Sequence, residues 1–105
     1  MAQFAVYRNT NPATKGAIPL LLDIQSDLLV DLGTRVVVPL CSAATMKGKL
    51  LTTLMPLLDV DRKSYAMLTS QLAGIDKKRL GSPVADLSYR RHDILAAVDL
   101  LITGI

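Results

Sequence analysis

The sequence has no glutamate and no tryptophan, and only one cysteine, one histidine, one phenylalanine and three tyrosines in 105 residues. Each shortage excludes something. A lone Cys41 makes no internal disulfide. One histidine and one cysteine fall short of the roughly four nitrogen or sulfur ligands of a zinc site. Phe4, Tyr7, Tyr65 and Tyr89 are too few and too scattered to form a base-stacking platform. The apolar runs, such as Ile18-Pro19-Leu20-Leu21-Leu22, stop far short of the ~20 residues that cross a bilayer. The opening residues carry no basic segment followed by a long apolar one, so the expectation is a cytoplasmic protein that makes no membrane contact. No P-loop, Rossmann fingerprint or G-x-S-x-G elbow occurs. All nine acidic residues are aspartate. Aspartate suits turns and caps better than helix interiors, which tilts the chain towards short strands and turns.

Half of the residues are apolar, enough for one modest core, and the length predicts a single domain over 1–105. The formal net charge of +3 permits nucleic-acid contact but does not indicate it, since a mildly basic solvated surface gives the same total. Gln3 to Arg8 alternates as a strand. Asn9 to Gly16 is a polar loop, predicted to be mobile. Ile18 to Ile24 is a second strand buried on both faces, with Pro19 at its start or on an edge. Residues 25–34 form a connection with its own apolar patch, Leu28-Leu29-Val30. Arg35 to Cys41 is a β-branched third strand. Ala43 to Met55 is ambiguous between helix and loop. Leu57 to Val60 and Ser64 to Leu72 read as strands around a turn at 59–63, and Ala73 to Pro83 as basic and turn-rich. From a Ser88 N-cap, Ile94, Ala97, Val98 and Leu101 then follow helical spacing, and Gly104 stands where helices commonly stop. Several strands followed by one helix predict a mainly β fold, a small barrel or sandwich with the helix packed on it.

Chemistry is sparse. His92 and Asp93 are adjacent, and neighbours on a helix do not face each other, so His92 reads as a solvated residue. Asp23, Asp27 and Asp31 are spaced by four but lie in mixed strand and loop, so no metal is predicted there. Cys41 follows a β-branched strand and reads as a buried, inert thiol. The basic groups Lys77-Lys78-Arg79 and Arg90-Arg91-His92 can meet phosphates or an acidic partner, or simply face solvent. With no catalytic residue, cofactor or metal to assign, the chemistry points to a binding protein rather than an enzyme. The final stretch, Asp-Leu-Leu-Ile-Thr-Gly-Ile, is apolar where chain ends are ordinarily polar, and an apolar patch available to solvent is a contact surface.

Three stretches together resemble a known family: Met-Ala-Gln-Phe-Ala-Val-Tyr-Arg at the start, Leu-Asp-Ile-Gln-Ser-Asp-Leu-Leu at 22–29, and Val-Ala-Asp-Leu-Ser-Tyr-Arg-Arg-His-Asp-Ile through Gly-Ile at 84–105. Val37-Val38-Pro39-Leu40 supports them. The chain is similar, essentially end to end, to CcdB, the toxin of a bacterial toxin–antitoxin module often tied to plasmid maintenance. The resemblance implies a small SH3-like β-barrel of the CcdB/PemK type with a C-terminal helix, in a symmetric homodimer. It implies a poison that binds the A subunit of DNA gyrase and traps the covalent gyrase–DNA cleavage complex. It also implies neutralisation by a CcdA-like antitoxin with an acidic tail, and operon autoregulation in which the antitoxin, not this chain, contacts the DNA. Carried over by position, the gyrase wedge is Thr103, Gly104 and Ile105. Ser26, Asp27, Leu28 and Leu29 match a segment near the same face, and Arg91, Leu95 and Asp99 line the exposed helix face behind the tail. Antitoxin-binding residues are not placed; the loop 9–16 is a candidate.

Two departures stand out. The best-known members carry tryptophan where this chain has Thr103, and an acidic residue where it has Arg91. A buried tryptophan at an interface is worth about 2–4 kcal/mol, which predicts a gyrase affinity lower by about 30- to 1000-fold if nothing compensates. Two alternatives stand beside the gyrase poison: a ribonuclease like the MazF/PemK toxins, and a CcdB homologue that has lost toxicity.

Overall fold

The computed structural model describes residues 2–46 and 53–104. Among the described residues, seven strands run β1 (Ala5–Asn9), β2 (Leu20–Asp23), β3 (Thr34–Ser42), β4 (Leu57–Val60), β5 (Lys63–Met67), β6 (Ala73–Asp76) and β7 (Leu80–Asp86), before one helix, α1 (Arg91–Thr103). The strand order is β4-β5-β3-β2-β1-β7, and β6 pairs with β3 off this path. Every pairing is antiparallel. The long β3 divides its far side between two partners: Thr34–Val37 pairs with β6 and Leu40–Ser42 with β5. The sheet therefore curls into a half-barrel instead of lying flat. The expected mainly β fold with a C-terminal helix is the fold observed.

Alternation along the strands builds the core. Val6, Leu20, Leu22, Val38, Leu40, Leu58, Val60 and Met67 point to one side and meet Leu87, Ile94 and Ala97 from the helical end. β2 is buried along its whole length, as its apolar run predicts, and Pro19 stands just before its first residue. A smaller cluster gathers Cys41, Ala66 and Leu68 with Ile18, Met46 and Met55. Cys41 is a buried free thiol, as expected.

Three local readings need correction. The segment 73–83 holds two strands, β6 and most of β7. Glycine and proline conceal them, yet Pro83 is tolerated because β7 lies at the sheet edge. Gly81 is required: a Cβ there would sit 2.8 Å from the Arg8 carbonyl oxygen, where the β1–β7 register shifts. The stretch Ser64–Leu72 is not one strand, because β5 ends at Met67 and a 3-10 turn follows at Thr69–Gln71. Ser88 is not the helix cap: it opens a 3-10 turn and donates its own N–H to Asp86 Oδ1 at 2.8 Å. Of the ambiguous 43–55 segment, Ala43–Thr45 is a 3-10 turn, and 47–52 lies outside the described residues. At the other end of α1, Gly104 takes the left-handed conformation, φ 74°, and returns its N–H to the Leu100 carbonyl, as expected of a helix stop.

Candidate interaction surface

α1 buries one stripe, Ile94 and Ala97, and half-buries Leu95 and Val98. A surface stripe follows from the same geometry. Arg91, Leu95 and Ile102 are offset by four and by seven residues, so they line one side of the helix. Arg91, Leu95 and Asp99 share a shallow groove with His92 and Ala96. His92 is exposed, as expected. The groove starts in the first helical turn and the predicted wedge lies in the last, about 18 Å further along the axis at 1.5 Å per residue. The predicted site residues on α1 thus span the helix rather than converging on one point. Ile105 lies outside the described residues.

At the helix tip Thr103 and Gly104 are exposed. The Thr103 hydroxyl donates to the Asp99 carbonyl at 2.6 Å, so it is spent on the helix itself. The large apolar side chain presented there is Ile102, 72% exposed. The sequence reading named Thr103 and overlooked Ile102, although its place seven residues after Leu95 put it on the surface stripe.

The second predicted segment is just as exposed. Ser26 caps a 3-10 turn at Asp27–Leu29 by accepting the Leu28 N–H. Leu28 is 92% exposed, and Leu29, Val30 and Leu32 are also open to solvent. This is one of the densest exposures of large apolar side chains in the described structure. Residues 3 and 4 connect it with the helix. Gln3 donates its N–H to Asp27 Oδ1 at 2.8 Å and its side-chain amide to the Ile24 carbonyl. Phe4 donates its N–H to the Asp23 carbonyl and accepts the Leu87 N–H. The Arg91 guanidinium lies over the Phe4 ring, 5.6 Å from its centroid, a cation–π contact. Phe4 holds a left-handed backbone at φ 70°, a conformation that costs a bulky residue on the order of 1–3 kcal/mol and persists only where surrounding bonds over-determine it.

Beneath the exposed turn lies a feature that sequence reasoning missed. Asp23 and Arg35 are fully buried. Arg35 Nε donates to Asp23 Oδ2 at 2.8 Å and Nη2 to Asp23 Oδ1 at 3.0 Å, a bidentate pair of the strong kind. Nη2 also donates to the Gln25 carbonyl. The spacing of Asp23, Asp27 and Asp31 therefore does not mark a shared helix face: Asp23 pairs with Arg35, while Asp27, the first residue of the turn that Ser26 caps, accepts the Gln3 N–H and lies 4.0 Å from Arg35 Nη2. Among the described residues, no group of three histidines, cysteines or acidic residues comes together as metal ligands.

The family profile described as CcdB protein matches residues 3–104. The chain belongs to the CcdB family. Membership places it among the toxins of toxin–antitoxin modules. A solved structure described as an endoribonuclease in complex with its cognate antitoxin, from mycobacterial species, is similar at TM-score 0.76 and 13% identity, covering 97% of this chain and 94% of that one. At that identity the likeness is one of fold. No described helix of this CcdB-family chain is long and apolar enough to cross a membrane.

Proposed function

We infer that this toxin acts by binding the A subunit of DNA gyrase and trapping the enzyme on cleaved DNA. It acts as a homodimer in the cytoplasm and catalyses nothing itself. The observation that carries this reading is the exposure of Leu28 and Ile102 on a capped turn and a helix tip, in a chain of this family. Such residues bury themselves only against a partner. On a two-fold dimer each contact patch appears twice, which suits a wedge into a symmetric enzyme. Ile102 and Leu28 are its apolar anchors, with Ser26, Leu29, Arg91, Leu95, Asp99, Thr103, Gly104 and Ile105 around them. Thr103 cannot stack as a tryptophan would, so the anchoring load falls on Ile102.

The neutralising partner is a CcdA-like antitoxin with an acidic tail. The loop 9–16 is its candidate contact. That loop borders a cleft of about 420 Å³ that also includes Leu21, Pro39, Ile75 and Arg79. DNA is met only through the antitoxin or gyrase.

The test is a gyrase cleavage assay with supercoiled plasmid, ATP and purified protein. Linear DNA is expected on denaturation, and removal of Gly104–Ile105 is expected to abolish it. A folded protein that yields no linear DNA but cuts RNA would establish the ribonuclease instead. Such a reaction needs an acid and a base at the phosphodiester, and the Asp23–Arg35 pair, with both side chains inaccessible, supplies neither. Silence in both assays would mean a toxin that has lost its activity. The dimer is expected to persist in sedimentation at micromolar concentration.

A further inference from the structure

The exposed apolar segment 28–32 is tied down from below, and the ties are polar. Gln25 is buried and uses all of its hydrogen-bonding groups. Its N–H donates to Asp23 Oδ1, its carbonyl accepts Arg35 Nη2, its side-chain oxygen accepts the Val36 N–H, and its side-chain amide donates to the Leu29 carbonyl at 3.0 Å. From the other flank, Lys77 donates its N–H to the Gly33 carbonyl and its ammonium to the Val30 carbonyl. Asp76 sets Lys77 in place by capping the 3-10 turn at Lys77–Arg79. The carbonyls of two adjacent residues, Leu29 and Val30, are thus held by side chains from elements on opposite sides of the segment. Neither side chain adds apolar surface to the patch. Their effect is on its conformation.

We propose that Gln25 and Lys77 are positioning residues that pre-order the Leu28–Leu32 segment for its partner. This rests on the reading that the segment meets gyrase. A patch ordered before binding avoids the entropy cost of ordering it on contact. Loss of either tie frees a loop whose leucines gain nothing from staying outward.

The decisive pair of variants is Lys77→Met, which keeps the stem and removes the donor, and Lys77→Arg, which restores a donor. Lys77 is only half-buried, so neither threatens the fold. Hydrogen exchange at the Leu28, Leu29 and Leu32 amides is expected to speed up about tenfold in Lys77→Met, the size of one charged hydrogen bond. Affinity for purified gyrase A subunit is expected to fall about three- to tenfold, with the urea midpoint unchanged, and Lys77→Arg is expected to recover both. Gln25→Ala is expected to speed exchange at the same amides more strongly and, because Gln25 is buried, to lower the urea midpoint as well. Unchanged exchange, exchange that rises across the whole molecule, or faster exchange with unchanged affinity would each overturn the proposal. If the parent protein itself does not bind gyrase A, the functional reading fails, and exchange alone judges the ties: local acceleration upholds them and its absence overturns them.

Discussion

The Asp23–Gln25–Arg35 cluster and the Leu28–Leu32 segment are neighbours in sequence and opposites in environment. The first buries two full charges in contact; the second leaves large apolar side chains in water. Each alone inverts the usual partition of residues between core and surface. Together they divide two tasks. The buried ion pair holds the turn between β2 and β3, where an apolar core would supply packing but no directional bonds. The leucines above it contribute little to folding and are free to serve a partner. Stability and binding should therefore respond to different substitutions only a few residues apart.

Arg35→Ala gives the largest expected effect. Removing one member of a buried pair strands Asp23 as an uncompensated charge and should cost about 3–5 kcal/mol, read as a lowered urea midpoint. Replacing both members at once, Asp23→Leu with Arg35→Met, should recover most of that loss while leaving the 27–32 turn less well ordered. If the double variant kept gyrase binding intact, the buried pair would not be what orders the turn for its partner. Next come Leu28→Arg and Ile102→Arg. Each should leave stability within about 0.5 kcal/mol yet lower gyrase affinity by roughly 30-fold or more, measured by calorimetry and by loss of linear DNA. Thr103→Trp sharpens the same contrast in the other direction, with affinity rising at least about tenfold at unchanged stability. The smallest effect is expected far from both regions. Asp61 and Arg62 both take positive φ in the two-residue β4–β5 turn, which favours glycine at the second position. Arg62→Gly should raise stability by about 0.5–1 kcal/mol with no change in binding.

The sequence made some of this contrast legible and hid the rest. The both-face burial of β2 followed from its run of leucines, and the exposed Leu28-Leu29-Val30 patch was visible as apolar residues inside a connection. Asp23 was not readable as buried, because a single aspartate after such a run ordinarily marks the end of the core. Its partner lies twelve positions away, at the start of the next strand, and only the β2–β3 register brings them together. β6 and β7 escaped notice for a related reason. Their glycines and proline argue against central strands, and only the pairing partners reveal that these are tolerated at an edge and at a register shift. On α1, the resemblance directed attention to Thr103, while helical spacing alone, carried one step past Leu95, would have pointed to Ile102.

The pairing of β1 with β7 sets a schedule as well as a shape. Val6 lies opposite Ala85, so the first strand cannot complete its ladder until most of the chain has been made. At a synthesis rate of about 5–20 residues per second, that wait is roughly 4–16 s, and contacts of such long range are also slow to form once the chain is complete. The helix that carries the proposed wedge follows β7 directly. A ribosome-bound or truncated chain therefore lacks both the completed β1–β7 edge of the sheet and the proposed wedge.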